Sequence, residues 1–309
     1  MNTFNSINKF LSKKQTVATI GTFDGVHLGH QKILKKVIQS SKELECESVM
    51  LTFFPHPQVV LNEKSDIKML NTIDEKIEIL ASLGLDNLII QAFDKNFSQL
   101  SAEEFVKTIL VEKLNIKKII IGYDHHFGKN RSANFDDLVI LGKKYSFEVE
   151  QISAEELNEI AVSSTKIRNA ILNNNFNTAE KYLNYNYFFS GIVIKGKQLG
   201  RTLGFPTANL KVIENYKLLP KTGVYVVNCW FSNVLFEAIM NIGNRPTVDG
   251  IDQTIEVHIF NLDQDIYNKT LKIIPLQFLR KEQKFNSLTE LKNQLAIDKL
   301  NALSFFKNK

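Results

Sequence analysis

Through the first half of the chain, short apolar runs alternate with stretches of helical periodicity. "TVATIG" (16–21) reads as a buried strand and leads into a helix through "LGHQKILKKVIQSSKEL". The strand "SVMLTFF", a helix through "DEKIEILASLG", the strand "DNLIIQAF" and a helix in "SAEEFVKTILVEKL" follow in turn. "KKIIIGYD" and "SFEVEQI" complete the strands, with "FDDLVILGKKY" helical between them. Strands alternating with helices of roughly 10 to 15 residues predict a parallel, doubly wound α/β sheet of Rossmann-like type. Ser163 and Ser164 offer an N-cap to the helix "STKIRNAIL", and "NTAEKYL" predicts one more short helix.

Near Tyr185 the pattern changes. "SGIVIKG", "TGVYVVNCWF", "FEAIMNIG", "TIEVHIF" and "TLKIIPLQFL" are short, rich in Val, Ile and aromatics, and separated by turn residues. They predict a small closed β-barrel. The tail "SLTELKNQLAIDKLNALSFF" has apolar residues at helical spacing and predicts one helix lying on that barrel. The change in pattern divides the chain into domains 1–184 and 185–309.

Composition agrees with two domains. The chain has 309 residues, 44% hydrophobic and 23% charged, and single cores stop growing at roughly 250–300 residues. A formal charge of +5 suits an anionic small substrate and equally a solvated basic surface. No basic stripe with interleaved aromatics suggests nucleic acid. Cys46 and Cys229 are far apart and without C-x-x-C spacing, so neither a disulfide framework nor a zinc site is expected. The first residues lack the pattern of a secretory signal, and no run is long enough to span a bilayer. The expectation is a cytoplasmic protein, off the membrane, monomeric or weakly homo-oligomeric.

In a doubly wound sheet, ligands lie beyond the carboxyl ends of the strands. "GTFDGVHLGH" (21–30) is such a loop, running into a helix start. His27 and His30, three apart, share one face of the first turn. Unpaired N–H groups and the positive dipole end there favour an anion, and Gly29 leaves room for a phosphate or nucleobase to approach the backbone. Imidazole N–H groups at that place suit a phosphorus centre gaining charge in its transition state, with position and charge stabilisation carrying the catalysis. Spacing alone fits a plainly capped helix start as well. A metal site is disfavoured, because carboxylate or thiolate co-ligands at recognisable spacing are missing. "IGYDHHFGKNR" (121–131) follows a later strand at the same end of the sheet. "SSTKIR" (163–168) sets hydroxyls at a helix start with Lys166 and Arg168 in its first turn. Cations there oppose the helix dipole, a penalty that an anionic ligand offsets.

A second glycine-punctuated block, "GKQLGRTLGFPTANL" (196–210), is no Walker A motif. Extended chain after Pro206 projects Thr207 and Asn209 from one face. A hydroxyl and an amide oxygen side by side are hard-oxygen ligands for Mg²⁺ arriving on a nucleotide; a glycine-rich hairpin and edge strand is the plainer reading. In "TIEVHIF" (254–260), alternation puts Thr254, Glu256 and His258 on one face. Glu256 is then either solvent-facing or a base for a hydroxyl attacking a γ-phosphate.

These motifs carry a resemblance. H-x-G-H after the first strand, together with "SSTKIR", resembles the nucleotidyltransferase superfamily. With "TFFPHP" and "IGYDHHFGKNR" added, the first half is similar to the adenylyltransferase half of the bacterial bifunctional riboflavin kinase/FMN adenylyltransferases, or FAD synthetases. "GKQLGRTLGFPTANL", "TGVYVV", "NIGNRPT", "EVHIF" and "LRKEQKF", in that order, resemble the riboflavin kinase module, a six-stranded β-barrel with a C-terminal helix. The resemblance implies two reactions, riboflavin and ATP giving FMN, then FMN and ATP giving FAD and pyrophosphate, both with Mg²⁺. It places ATP along the first loop at Gly21, Phe23, Asp24 and Gly29, with His27 and His30 on its phosphates and Ser163, Ser164, Thr165 and Arg168 gripping the nucleotide. Pro55, His56, Asp124 and Phe127 hold flavin or position ATP. In the second half the loop with Gly196, Lys197, Gly200 and Gly204 closes on phosphates, Thr207 and Asn209 bind Mg²⁺–ATP, and Glu256 is the base. Asn241, Arg245 and Arg280 line the flavin side.

The chain departs from that family pattern at Ala133, Asn184, Asn186, Val248 and Asn268. Asn tolerates left-handed backbone, so Asn184 and Asn268 are expected to keep a glycine-like turn. Two other readings stand beside this one. One is a nucleotidyltransferase for another acceptor, such as nicotinamide mononucleotide or pantetheine phosphate, which would not require "GFPTAN". The other is a non-catalytic flavin carrier, which would not require the intact chemistry-bearing residues.

Overall fold

Val17 and Ala18, neighbours in one strand, belong to opposite faces of the first sheet. The strand is β2 (Thr16–Ile20), buried along its whole length. In this computed structural model it stands inside a six-stranded parallel sheet of order β1-β4-β3-β2-β5-β6. The others are β1 (Asn2–Phe4), β3 (Glu47–Phe54), β4 (Asn87–Ala92), β5 (Ile116–Gly122) and β6 (Glu148–Ile152). Val17, Met50, Leu88 and Ile120 pack on one side with Ile33, Leu34 and Val37 of α1 (Leu28–Glu43) and Leu80 of α3 (Ile73–Ser82). Ala18, Val49, Leu51, Ile89 and Ile119 pack on the other, with Phe105 of α5 (Ala102–Phe105) and Leu138 of α6 (Phe135–Tyr145). Burial on both faces is why these strands read as continuous apolar runs. All residues are described except 63, 154–161, 197–199, 201–202, 248–249 and 309, and at 245–247 and 250–252 the backbone alone is described.

The chain moves outward from β2 through β3 to β4, then crosses back to β5 on the other side of β2. The order therefore reverses between β2 and β5. The sequence reading did not include β1, which is three residues long and pairs parallel with β4. The helix expected in "SAEEFVKTILVEKL" starts at its Ser101 capping box, then winds as a π-helix over Val106–Val111 that keeps Val106, Ile109 and Leu110 buried. α2 (Pro57–Leu61) and α4 (Lys95–Ser98) are short additions.

The chain divides into compact units Met1–Ser164 and Thr165–Lys309. α7 (Ser164–Leu172) and α8 (Phe176–Leu183) thus group almost entirely with the second unit, although the hydrophobic pattern turns to β only after them. Phe176 packs against Tyr225, whose hydroxyl donates to Asn174 at 3.1 Å. That unit is a closed barrel of order β10-β11-β8-β7-β12-β9. Its strands are β7 (Phe189–Ile194), β8 (Ala208–Lys211), β9 (Gly223–Phe231), β10 (Val234–Thr247), β11 (Gly250–Ile259) and β12 (Thr270–Arg280). α9 (Leu288–Lys307), capped by Ser287, buries Ala302 with Val224, Val226 and Ile239. Asn184, ending α8, and Asn268 adopt φ of 59° and 61°, the glycine-like turns expected of them. Val248 lies outside the described residues.

Candidate active sites

β2 and β5 are adjacent, so the loops after Ile20 and Gly122 face each other where the strand order reverses. The first loop turns sharply, with φ of 45° at Phe23, 83° at Gly25 and 37° at Val26. Hydrogen bonds fasten it at each step. Lys76 Nζ and Thr52 Oγ1 donate to the Thr22 carbonyl at 2.6 and 3.3 Å. The Leu70 N–H donates to Asp24 Oδ1 at 2.8 Å, Ser164 Oγ to the Asp24 carbonyl at 2.9 Å, and Gln31 Nε2 to the Val26 carbonyl at 2.9 Å. Lys76 is 4% exposed, and burial lowers its amine to about 8 against the opposing pull of Asp24.

His27 caps α1, its Nδ1 accepting the His30 N–H at 3.4 Å. The ring proton of His27 therefore sits on Nε2. The two imidazoles stack with centroids 3.6 Å apart, and His30 lies 4.5 Å from the Phe23 ring. The room left by Gly29 is filled by the His27 ring, 3.4 Å from where a side chain would begin. Burial pulls His27 down to about 4 despite the Asp124 carboxylate. Burial, then His27 and Lys76, hold His30 well below its ordinary value. Both rings are neutral donors near pH 7, and among the described residues His30 Nδ1 is buried without a hydrogen-bond partner.

A cavity of about 630 Å³ opens between the loops, within the range of small-molecule sites. Gly21, Phe23 and His30 form one wall, and Asp124, His125 and Phe127 another. His56 lines it too, capping α2 just after the cis Phe54–Pro55 bond. Asp24, His27 and Gly29 are buried beside this wall. Ser163 and Ser164 stand at the start of α7, whereas Thr165 and Arg168 belong to the second unit. Sequence reasoning missed two features. Lys76 carried a signal, since it stands four residues before Leu80 on the inward face of α3, where a lysine is out of place. The aromatic wall of Phe53, Phe93 and Phe97 had none, because it gathers from two strand ends and the short helix α4.

In the barrel, register sets Asn209 of β8 opposite Glu256 of β11, and Glu256 opposite Asn241 of β10. Directly paired residues point to the same side, so an amide, a carboxylate and a second amide form a row across three strands. Thr207 Oγ1 lies 3.4 Å from Glu256 Oε2. Gly196 presses on this row, because a Cβ there would fall 2.1 Å from Asn209 Nδ2. A turn follows, with the Leu203 and Phe205 N–H groups donating to the Gly200 carbonyl and Gly204 at φ 84°. Arg280, expected on the flavin side, is held by a carboxylate of the C-terminal helix. Its guanidinium forms a two-toothed pair with the buried Asp298 carboxylate at 2.7 to 3.2 Å, tying β12 to α9. Lys197 and the Arg245 side chain lie outside the described residues.

Comparison with known proteins accounts for both halves. A FAD synthetase family model matches residues 9–166 and a riboflavin kinase family model matches 183–306. The bifunctional riboflavin kinase/FMN adenylyltransferase of Buchnera aphidicola (Schizaphis graminum) is 40% identical over 92% of this chain and 91% of its own. Those of Haemophilus influenzae and Escherichia coli K12 are 37% and 35% identical over 93% and 94% of this chain, and 93% and 92% of theirs. A solved structure described as a macrolide-efflux protein from Streptococcus pneumoniae superposes with a TM-score of 0.85 at 30% identity, over 96% of both chains. Among the described residues, no helix is long and apolar enough to cross a membrane. The chain belongs to the bifunctional riboflavin kinase/FMN adenylyltransferase family, enzymes that phosphorylate riboflavin to FMN and adenylylate FMN to FAD.

Proposed function

We propose that the two reactions occupy the two sites just described, adenylyl transfer with residues 1–184 and phosphoryl transfer with residues 185–309. In the first, an FMN phosphate oxygen attacks the α-phosphorus of ATP. The new P–O bond forms as the bond to the β-phosphate oxygen breaks, and pyrophosphate leaves. The attacking phosphate is already ionised, so no base is needed. His27 and His30 donate N–H groups to oxygens gaining charge, while Gly21, Phe23, Asp24 and Gly29 shape the loop around ATP. Ser163, Ser164, Thr165 and Arg168 serve the nucleotide. The aromatic wall with His56, Asp124 and Phe127 serves flavin, and Pro55 sets the chain before it. The observation carrying this reading is the stacked, neutral His27–His30 pair at the strand-order reversal, with a buried ring nitrogen awaiting a partner.

In the second reaction Glu256 takes the proton of the riboflavin 5′-hydroxyl as that oxygen attacks the γ-phosphorus and ADP leaves. Among the described residues no group of three His, Cys, Asp or Glu side chains forms a metal cage. A hydroxyl, an amide oxygen and one carboxylate fit a cation whose remaining ligands are nucleotide oxygens and water. Thr207 and Asn209 would hold Mg²⁺ there, and the bound ion neutralises phosphate charge. Asn241 borders the flavin side, and Arg280 braces α9 through Asp298. The free thiols Cys46 and Cys229 suit a reducing cytoplasm.

Chromatography of flavin products tests the assignment. Glu256→Gln is expected to make no FMN while still converting supplied FMN to FAD. His27→Ala with His30→Ala is expected to accumulate FMN. Loss of both activities in either folded variant overturns the division into two sites.

A further inference from the structure

The ladder between β8 and β11 ends at the pair Ala208–Val257. Two residues further along, Pro206 has no N–H to carry it on. Here the imidazole of His258 substitutes for the missing strand contact, its Nδ1 lying 2.8 Å from the Pro206 carbonyl oxygen. A carbonyl only accepts, so the ring donates, and its proton is on Nδ1. Burial keeps the ring neutral by lowering its pKa. Nε2 is then a bare acceptor, buried and, among the described residues, without a partner. Phe205 and Phe260 stand edge-on to the ring, each with its centroid 5.5 Å away, and aim the donor. Two residues before His258 is Glu256; one residue after Pro206 is Thr207, 3.4 Å from that carboxylate.

We propose that His258 is a positioning residue of the kinase site, clamping the Pro206 carbonyl so that the Thr207 hydroxyl is held in place beside Glu256. The inference rests on the assignment of Thr207 and Glu256 made above. Without the clamp, the chain is tethered only from Ala208, the first residue of β8, and Thr207 just before it is free to drift from the carboxylate. Misplacement by about 1 Å can cost on the order of a hundredfold in rate.

Two variants separate the hydrogen bond from the ring. His258→Asn keeps an N–H near the position of Nδ1 and deletes the ring; His258→Phe keeps a ring and deletes the donor. His258→Phe is expected to lower kcat for FMN formation by about tenfold or more, while His258→Asn stays within about threefold of the parent. FAD formation from supplied FMN should be unchanged in both, and hydrogen exchange in β9 and β10 should report an intact barrel. If His258→Phe leaves the barrel unfolded, His258→Leu, also without a donor, takes its place. The proposal is overturned if His258→Asn is the more damaged, if the two are equally impaired, or if neither is impaired. Glu256→Gln measured alongside separates the two levels. Retained kinase activity there removes the site itself, whereas its loss with an active His258→Phe removes only the clamp.

Discussion

In the sheet unit the proposed nucleotide site is a loop whose own carbonyls are tied down by Lys76, Thr52, Ser164 and Gln31, which leaves ring and backbone N–H groups to meet an anion. In the barrel the corresponding site is a row of side chains, Asn209, Glu256 and Asn241, borne by three strands whose backbone groups are already paired. The first arrangement supplies donors and no base; the second supplies oxygens and a carboxylate. The difference follows the nucleophiles. On the proposed assignment, an FMN phosphate arrives ionised and needs only charge stabilisation, whereas a ribityl hydroxyl has to lose a proton. Open sheets expose helix starts at the strand-order reversal, and closed barrels offer only their side chains. Each fold uses what its backbone leaves over.

The sharpest way to break this contrast is Glu256→Gln. If the carboxylate is the base, FMN formation falls by about 10²- to 10⁴-fold, read by flavin chromatography, with FAD formation from FMN intact. Next, His27→Ala with His30→Ala should cost FAD formation about 10²- to 10³-fold, as loss of oriented donors does, and spare the kinase.

Acid should separate the units by stability. Near pH 7 the buried histidines are neutral in both folded and unfolded chains. Below about 6.5 the unfolded chain takes up protons that His27 and His125, held at about 4, refuse. Stability is therefore lost as pH falls from about 6.5 towards 4, by up to about 3 kcal/mol for each ring. Hydrogen exchange at pH 5 against pH 7 should show β2 and β3 loosening more than β9 and β10, and equal loosening would contradict it. The smallest effect concerns Asn184, which ends α8 in the left-handed region. Asn184→Ala should destabilise by about 1 kcal/mol and Asn184→Gly by far less, measured from urea midpoints.

Much of this was legible beforehand. "FDDLVILGKKY" matches α6 residue for residue, because Asn134 and Ser146 bracket it with a capping box and a left-handed end. The pairing of His27 with His30 and of Thr207 with Asn209 is read from periodicity within single elements. What periodicity does not carry is contact between elements. The row Asn209–Glu256–Asn241 depends on strand register, and the wall of phenylalanines on topology. The strand read at "FEAIMNIG" runs on to Thr247, where register with β11 in a long hairpin carries polar positions that no apolar run marks. The Arg280–Asp298 pair is likewise invisible to periodicity, because nothing local to Arg280 reveals a carboxylate eighteen positions later.

Among the described residues, the sheet, unlike the barrel, ends in two strands with a free side. One is β1, only three residues long. The other is β6, which carries Glu148 and Glu150, both within reach of Lys118 and the latter also of Lys36. A foreign strand laid along β6 would have to cover these charges, and one laid along β1 would find too little backbone to hold it. The open rims are thus guarded against strand-by-strand aggregation, and a crowded solution of this enzyme should stay clear.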